Sequence, residues 1–283
     1  GALRVSLLHI VALCIGELGA ELQSLIKGGT EYLWDGRPEY WSGRAPILFP
    51  ICGGLDGDEY EYDGKRYKLP KHGFARRKEF TVEAAGADWA VLLLRDDEET
   101  REGYPFAFEF RARFTLIGDT LVTDYIVTNK DTRPMPFSVG AHEAYACPEG
   151  ISEYELVFEK YEELGSNIVE GNLLSHNKVP VLSGDTLALD PKYFEVDALV
   201  FTDVKSRAVT LCHKPTGRGV AVRFDGFQYL LIWQKCGAPY ICIEPWCGLP
   251  DFVDSTGCIL EKLGIIVAAP GETIVRTHTV RLL

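Results

Sequence analysis

The stretch FAFEFRARFTLIGDTLVTDYIVTN, from Phe106 to Asn129, decides the fold class. In its first half, aromatic and aliphatic residues occupy alternate positions with charged and polar residues between them. This period of two is typical of a strand with one buried face, and no amphipathic helix shares it. Gly118-Asp119 then interrupts the pattern, and Thr120–Asn129 is rich in Thr, Val, Ile and Tyr. The stretch therefore predicts a long β-hairpin.

The same pattern extends over the rest of the chain. Asp63-Gly64, between Glu59–Tyr62 and Arg66–Leu69, predicts a second hairpin with a type I′ turn, because both residues tolerate a positive φ. Further strands are predicted at Glu21–Lys27, Glu79–Ala84, Ala90–Arg95, Glu155–Phe158, Ala208–His213, Val220–Phe224, Tyr229–Gln234, Tyr240–Glu244 and Thr273–Leu282.

Helical patterns are almost absent from the sequence. A short helical turn is predicted around Leu249–Val253, and the acidic run Asp96–Glu99 predicts a solvated loop. We find no linker, low-complexity tract or internal repeat, and 28 Gly and 15 Pro punctuate the strands. Residues 1–283 therefore predict a single all-β domain, an antiparallel β-sandwich.

The charge balance restricts the partners. The chain has 29 basic and 41 acidic residues, so its formal charge is −12. Nucleic acids and anionic membranes need an electropositive face, so neither is expected as a partner. A local basic pocket for one small anion is compatible with this charge.

The eight cysteines are scattered without a C-x-x-C motif. We expect reduced, buried thiols and no metal site, because zinc sites have clustered His and Cys spacings that are absent here. The apolar run Val5–Ile15 is too short to span a bilayer. We expect this run to be retained rather than cleaved as a signal segment, and we expect a cytoplasmic protein.

Groups that are suited to acid–base chemistry gather in a few short segments. These segments are Trp41–Pro46 followed by Cys52–Gly54, Pro70–Arg76, Gly140–Tyr145 and Cys242–Gly248.

Glu244 has the most unusual setting of these groups. It ends the apolar strand Tyr240–Ile243 and is followed by Pro245 and Trp246. Partial desolvation there would raise its pKa towards the range of a general base. The alternative is a carboxylate paired with an arginine at a strand end.

Two histidines are candidates for proton transfer or binding. The ordinary pKa of His142, near 6.5, would suit proton donation, although a structural role is the alternative. His72 lies in a glycine-flanked loop, where binding residues often occur. The other histidines have no comparable setting: His9, His176, His213 and His278.

The flat faces of tryptophans suit the apolar faces of sugar rings, although a core role is equally ordinary. The tryptophans near the candidate segments are Trp34, Trp41, Trp233 and Trp246, and Trp233 is the predicted sugar contact.

These segments, in this order, resemble the aldose 1-epimerase (galactose mutarotase-like) family, and most closely its LacX-like branch, which is also similar to the hexose-6-phosphate epimerases. The resemblance runs from Glu17–Leu22 to the last strand. Further strings that carry it are Tyr32–Trp34, Gly43–Pro46, His72–Arg76, Tyr104–Phe106 and Val127–Asn129.

The resemblance implies a β-supersandwich with the sugar in a groove across one sheet. Carried over position by position, Glu244 resembles the general base, His142 the general acid and His72 the second histidine of the family. Arg44 resembles the arginine that contacts sugar hydroxyls, and Asp197 a substrate-binding aspartate.

The resemblance also identifies departures from the galactose mutarotases. Gly43–Ala45 stands in place of an Asn-Arg pair, which puts galactose itself in doubt. The string His72–Arg76 is shared with the phosphohexose branch, so Arg76, Arg44 and Lys71 are candidates to meet a 6-phosphate.

The implied activity is mutarotation of an aldohexose or its 6-phosphate, with no cofactor, no metal and a small-molecule sugar as the partner. Anomer exchange needs one group that deprotonates the C1 hydroxyl and one that protonates the ring oxygen. We expect these groups on opposite sides of the hemiacetal, in a monomer or homodimer.

Two alternatives come from other classes. A non-catalytic carbohydrate-binding or sensing protein would keep the groove without needing a matched acid–base pair. A lyase or hydrolase would need a larger cleft and a second catalytic carboxylate or tyrosine.

Overall fold

The structure is a computed structural model and describes residues 1–7 and 11–283. The run Val5–Ile15 therefore lies partly outside the described residues, and His9 lies entirely outside them. The strands, in chain order, are β1 (Ala2–Leu7), β2 (Val11–Gly16), β3 (Leu22–Lys27), β4 (Thr30–Glu31), β5 (Glu59–Tyr62), β6 (Lys65–Lys68), β7 (Thr81–Ala85), β8 (Trp89–Arg95), β9 (Phe108–Ile117), β10 (Thr120–Asn129), β11 (Met135–Phe137), β12 (Glu143–Ala146), β13 (Tyr154–Glu170), β14 (Leu173–Ala188), β15 (Leu199–Phe201), β16 (Ala208–His213), β17 (Gly219–Arg223), β18 (Tyr229–Trp233), β19 (Tyr240–Trp246), β20 (Ile266–Ala268) and β21 (Thr273–Leu282).

Helical segments are short. The described chain has one α-helix, α1 (Glu98–Gly103). Single 3₁₀ turns lie at Asp56–Asp58, Ala75–Arg77, Ile151–Glu153, Pro191–Phe194 and Ile259–Glu261. In the part of the chain that the structure describes, no helix has the length and apolar character that a bilayer crossing requires.

Two antiparallel sheets form the body of the molecule. The larger has nine strands in the order β14-β13-β16-β17-β21-β10-β9-β8-β7, and the smaller has four in the order β12-β19-β18-β15. The strands β1 to β4 form a further sheet, and β5–β6 and β11–β20 form two-stranded ribbons. The predicted all-β, antiparallel fold is confirmed.

The two predicted hairpins are present. Ile117 pairs with Thr120, so Gly118-Asp119 is a two-residue turn in which Gly118 has a φ of +62°. Asp63 and Gly64 both have positive φ, +51° and +75°, as a type I′ turn requires. These turns fix the register that keeps one face of each hairpin towards the core.

The alternating apolar residues of β9 form part of the core of the sandwich. Phe108, Phe110, Ala112 and Phe114 are at most 2% exposed, whereas Glu109, Arg111 and Arg113 between them face outward. Their inner face packs in one cluster with Ile241 and Ile243 of the smaller sheet. Burying each such side chain stabilises the fold by about 2–3 kcal/mol.

Two local predictions are wrong. Leu249–Val253 is not a helical turn, because residues 249–251 have no regular structure and Phe252 forms a parallel bridge with Leu174 of β14. The run Asp96–Glu99 is solvent-exposed but is not simply a loop. Asp97 caps α1 by accepting from Thr100 N at 2.7 Å, and the hydroxyl of Thr100 accepts from Asp97 N, which completes a capping box.

Sequence analysis predicts only a small part of the longest hairpin. The predicted strand Glu155–Phe158 is only the beginning of β13, which has 17 residues and pairs with the unpredicted 16-residue β14. Three register shifts interrupt this pairing. Each irregularity breaks the period of two, so the burial pattern no longer alternates.

All eight cysteines lie in the described part of the chain, and none is in a disulfide. Four are buried, as expected: Cys52, Cys147, Cys242 and Cys247. Cys236 is exposed, and the remaining three are partly buried.

Candidate active site

The four-stranded sheet is buried on both faces, and its outer face forms the floor of a cleft. Along β19, Ile241 and Ile243 point into the core shared with the nine-stranded sheet. The intervening residues Tyr240, Cys242 and Glu244 point to the other face, because side chains alternate along a strand. The uniformly apolar start of β19 thus delivers a carboxyl group to the cleft floor.

The cleft has a volume of about 270 Å³, which suits one small molecule. It is lined by Trp41, Gly53, Lys71, His72, Arg76, His142, Val169, Asn172, Leu174, Asp197, Ala198, Val200, Leu231, Trp233, Glu244, Trp246 and Pro250. Seven of the eight residues predicted for the site are in this lining: Glu244, His142, His72, Asp197, Arg76, Lys71 and Trp233.

Arg44 is the predicted site residue that the structure places elsewhere. Glu21 Oε1 accepts hydrogen bonds from the backbone N–H groups of Arg44 and Ala45, at 2.7 and 2.9 Å. The guanidinium of Arg44 donates from Nη1 to the carbonyl oxygen of Gln23 at 2.6 Å. Its hydrogen bonds therefore hold Arg44 against β3 and outside the cleft lining.

His142 and Glu244 are in direct contact. His142 directly precedes β12, which pairs with β19, and its Nε2 lies 3.3 Å from Oε2 of Glu244. The two side chains are 10% and 2% exposed. They lie side by side at one point of the cleft, and not on opposite sides of a space for substrate as we expected.

Burial raises the pKa of Glu244 well above 4.5, and the charges of Glu143 and Asp197 raise it further, while Lys71 opposes the shift. Burial also lowers the pKa of His142 to about 3, and the positive charges of Arg76 and Lys71 act in the same direction. The expected pKa of His142 near neutrality is therefore wrong. Desolvation favours an uncharged pair, a carboxylic acid beside a neutral imidazole.

The tautomer of His72 is set by a backbone contact. Its Nδ1 accepts a hydrogen bond from Gly53 N at 2.9 Å, and its own backbone N–H donates to Gly53 O at 2.9 Å. Burial is the main cause that lowers the pKa of His72 well below 6.5. Repulsion from His142, Lys71 and Arg76 lowers it further. A neutral ring that accepts at Nδ1 carries its proton on Nε2, so His72 presents a fixed N–H donor.

The backbone around His72 is under strain. His72 has a φ of +67°, which is uncommon for a residue with a side chain and costs about 1 kcal/mol. Gly53 has a φ of +76°, and a Cβ atom on it would lie 2.4 Å from Cγ of Pro250. Position 53 therefore requires glycine for the contact that orients the His72 ring.

Aromatic rings form one wall of the cleft. The ring of Trp41 lies 5.1 Å from that of His142 at an interplanar angle of 35°, and Trp233 meets Trp41 edge-on at 5.3 Å. Trp246 closes the side near His72, and its Nε1 donates to Ala141 O at 3.1 Å. Trp41 was not among the predicted site residues, because only the tertiary structure brings its loop to His142.

Two cations, Lys71 and Arg76, also line the cleft. Among the described residues, no carboxylate lies within ion-pair distance of Lys71 or Arg76. Nη2 of Arg76 donates to Lys71 O at 3.1 Å, and its Nε is buried without a partner. The Asp197 carboxylate accepts from Ala198 N at 2.7 Å and has its other oxygen free of any such bond.

The tip of the β13–β14 hairpin also reaches the cleft, and sequence analysis missed it. Val169, Asn172 and Leu174 lie in the lining. The turn Gly171-Asn172 is a recognisable signal, but without β14 it had no partner strand to which it could be assigned.

Comparison with known proteins identifies relatives over nearly the whole chain. The family model described as Aldose 1-epimerase matches residues 9–280. Protein LacX (plasmid) of Lactococcus lactis subsp. lactis is 34% identical over 282 residues, which cover 94% of each chain.

Solved structures agree with this match. A galactose mutarotase related enzyme from Lactobacillus acidophilus superposes with a TM-score of 0.94 and 31% identity, covering 100% of this chain and 97% of that one. A galactose mutarotase-like protein from Lactobacillus casei ATCC 334 superposes with a TM-score of 0.95 and 27% identity, and the match covers both chains completely. The predicted galactose mutarotase-like β-supersandwich is thereby confirmed.

Proposed function

This chain belongs to the aldose 1-epimerase family, and we propose that it is a mutarotase that interconverts the α and β anomers of an aldohexose or its 6-phosphate. The observation that carries the proposal is the buried contact of His142 with Glu244, 3.3 Å apart on the floor of a cleft that suits one small molecule.

Mutarotation requires two proton transfers, at two oxygens that are bonded to the same carbon. A base removes the proton of the C1 hydroxyl while an acid protonates the ring oxygen, and the hemiacetal opens to an aldehyde. Rotation about the C1–C2 bond then presents the other carbonyl face for ring closure. The two oxygens are bonded to the same carbon, so an acid and a base that lie side by side can serve them both.

The pair holds one proton that can move. In the proposed uncharged state the Glu244 hydroxyl is directed at Nε2 of His142, 3.3 Å away, and the imidazole carries its single proton on Nδ1. Transfer of the shared proton converts the pair to a carboxylate and an imidazolium without changing its net charge. Glu244 is then the base for the C1 hydroxyl and His142 the acid for the ring oxygen. Desolvation limits the population of this charged form until a polar substrate is bound.

The remaining groups position the sugar. The Nε2–H of His72 donates to a sugar oxygen, and the carboxylate of Asp197 accepts from a hydroxyl. Trp41 and Trp233 offer flat apolar faces for the ring. Positioning of this kind lowers the barrier because it fixes the reacting oxygens beside the proton-transfer pair.

Two cations of the cleft lining favour a phosphorylated sugar. Lys71 and Arg76 lie in the lining without carboxylate partners, and a phosphate would supply the missing negative charge. In the segment 65–78, Arg66, Lys68 and Lys78 are ion-paired with Glu59, Asp97 and Glu99, so their charges are already balanced. The two unpaired cations that line the cleft are therefore the ones that would attract an anionic group.

Exchange NMR tests the function directly. Anomer exchange is measured between the α and β signals of glucose, galactose and glucose 6-phosphate, with and without the protein, and with the Glu244→Gln variant. We expect the protein to accelerate exchange of one of these sugars and the variant to lose that acceleration. Selective line broadening without faster exchange of any of the three would contradict the enzyme and indicate a sugar-binding role.

A further inference from the structure

Three different metal-binding atoms meet on the cleft floor. Nε2 or Nδ1 of His142, Sγ of Cys242 and a carboxylate oxygen of Glu244 all lie within 4.8 Å of one another, and all three residues are buried. Cys242 and Glu244 are two positions apart on the same face of β19, whereas His142 comes from the segment before β12. Sequence spacing does not reveal this group, because His142 lies a hundred positions before Cys242 in the chain.

Part of the group already has the spacing of a metal site. Zinc binds imidazole nitrogen at about 2.0–2.1 Å and carboxylate oxygen at about 2.0–2.2 Å, which at a tetrahedral angle places the two ligand atoms about 3.4 Å apart. The observed distance between His142 Nε2 and Glu244 Oε2 is 3.3 Å. A thiolate needs to be about 3.6 Å from each of these atoms, and because the three atoms lie within 4.8 Å of one another, the distances from Cys242 need to shorten by at most about 1.2 Å.

The thiol of Cys242 has no other assignment. It is 0% exposed, it makes no hydrogen bond to the described residues, and the proposed proton transfers do not use it. A thiol, an imidazole and a carboxylate form a donor set that suits Zn²⁺, whereas Mg²⁺ and Ca²⁺ prefer oxygen ligands alone. Three protein ligands leave a fourth tetrahedral position for water, and two of the three residues, His142 and Glu244, line the cleft.

We propose that His142, Cys242 and Glu244 bind Zn²⁺ and that the bound ion blocks the proton-transfer pair. Coordination releases the protons of the thiol and the carboxylic acid to solvent and occupies the lone pairs that the sugar oxygens would meet. The positive charges of Lys71 and Arg76 face the same cleft and weaken the site, so the ion is exchangeable. The blocking effect rests on the proposed function, whereas the binding itself does not.

The binding is tested without any sugar. Chelator-treated protein is titrated with Co²⁺, which reports a cysteine ligand through a thiolate-to-cobalt charge-transfer band, and Zn²⁺ is then added to displace it. We expect one equivalent of Co²⁺ to develop the band and Zn²⁺ to abolish it. The Cys242→Ser variant is expected to lose the band, and Cys236→Ser, which removes an exposed thiol outside the cleft, is expected to keep it.

A band that persists undiminished in Cys242→Ser, or its absence from the wild-type protein, would overturn the site. Circular dichroism establishes that the variants are folded. If Cys242→Ser does not fold, His142→Asn provides the second test, and we expect its Co²⁺ affinity to fall at least about tenfold.

The blocking effect is tested separately by anomer exchange. One equivalent of Zn²⁺ is expected to inhibit exchange, EDTA is expected to restore it, and raising the sugar concentration is expected to weaken inhibition. Metal binding with unchanged exchange would refute the blocking effect alone. Metal binding by a protein that exchanges no sugar would refute the mutarotase proposal and leave the site in place.

Discussion

Nε2 of His142 lies 3.3 Å from Oε2 of Glu244, and the two side chains are almost completely withdrawn from solvent. In water the carboxyl group is charged above its pKa and the imidazole is charged below its pKa. Here both groups share one desolvated environment. Burial moves their pKa values in opposite directions, upward for the acid and downward for the base. In the proposed mechanism, transfer of one proton within the pair supplies both the base and the acid that anomer exchange requires.

Removal of either member of this pair should slow catalysis strongly. We expect Glu244→Gln and His142→Asn each to lower kcat by about 10²- to 10⁴-fold, because each loses one proton-transfer group. Anomer exchange NMR measures the rate, and circular dichroism establishes that the fold is retained. His176→Asn, at an exposed histidine outside the cleft, is the control. Variants with near-wild-type rates would show that the pair is not catalytic.

The charge of Lys71 should set the pH dependence. Its positive charge lowers the pKa of Glu244 and of His142, so Lys71→Met should raise both. The acid limb of the kcat/KM profile, measured with a free sugar, should therefore move to higher pH by several tenths of a unit. Lys65→Met, at an exposed position outside the cleft lining, removes the same charge as a control. An unchanged pH profile for Lys71→Met would show that the charge of Lys71 does not affect the pKa values of the catalytic pair.

Arg76 should matter most for a phosphorylated substrate. Arg76→Gln is expected to raise the KM for glucose 6-phosphate about 10- to 100-fold, with a much smaller change for glucose, because a charge-assisted contact to phosphate is lost. Arg77→Gln changes the net charge equally at an exposed neighbour outside the lining. Equal effects of Arg76→Gln on both sugars would argue against a phosphate contact.

Gly53 should be required both because of its positive φ and because of its close contact with Pro250, and the two effects can be measured separately. Gly53→Ala places a Cβ atom 2.4 Å from the Pro250 ring at a φ of +76°, and we expect a loss of roughly 2–4 kcal/mol. Gly57→Ala has a similar φ of +62° but meets open space, so it should cost only about 1 kcal/mol. Thermal unfolding measures both variants. Equal losses would mean that the contact with Pro250 relaxes freely.

A second buried pair should make stability fall at alkaline pH. Burial raises the pKa of Glu143 to about 8 and lowers that of His278 to about 4, and Glu143 Oε1 lies 3.5 Å from His278 Nε2. Between pH 6.5 and 8 the unfolded state has lost the Glu143 proton that the folded state keeps. Stability therefore decreases as pH rises, by at most about 1.4 kcal/mol per unit for this proton.

Below pH 6.5 His278 acts in the opposite sense. The unfolded chain takes up a proton there that folded His278 does not, so stability from this group is lost as pH falls towards 4. Urea unfolding across pH 6.5 to 8 tests the alkaline slope, and Glu143→Gln should flatten it. An equally steep slope in the variant would assign the effect to other groups.

The regular part of the fold could be predicted, because local pattern and tertiary role agree there. The predicted strand Thr120–Asn129 has the same bounds as β10, and the same holds for Ala208–His213 and Thr273–Leu282. β14 could not be found, because bulges and solvent exposure remove its alternation. The capping box at Asp97 could not be predicted, because α1 has only six residues and the acidic residues of its first turn are equally typical of a polar loop.

For the candidate site, the sequence by itself determined that a carboxylate would follow a run of buried strand residues, that His142 would stand near a strand and His72 in a loop, and which family the chain resembles. The predicted strand end at Glu244 is wrong, because β19 continues to Trp246. Tertiary structure decided the distances, since contacts between segments far apart in sequence have no local signature. It turned Arg44 away from the cleft, joined Cys242 to the acid–base pair and brought Trp41 to His142. It also decided the pKa of His142, because desolvation depends on the atoms that surround a group in space and not on its neighbours in the chain.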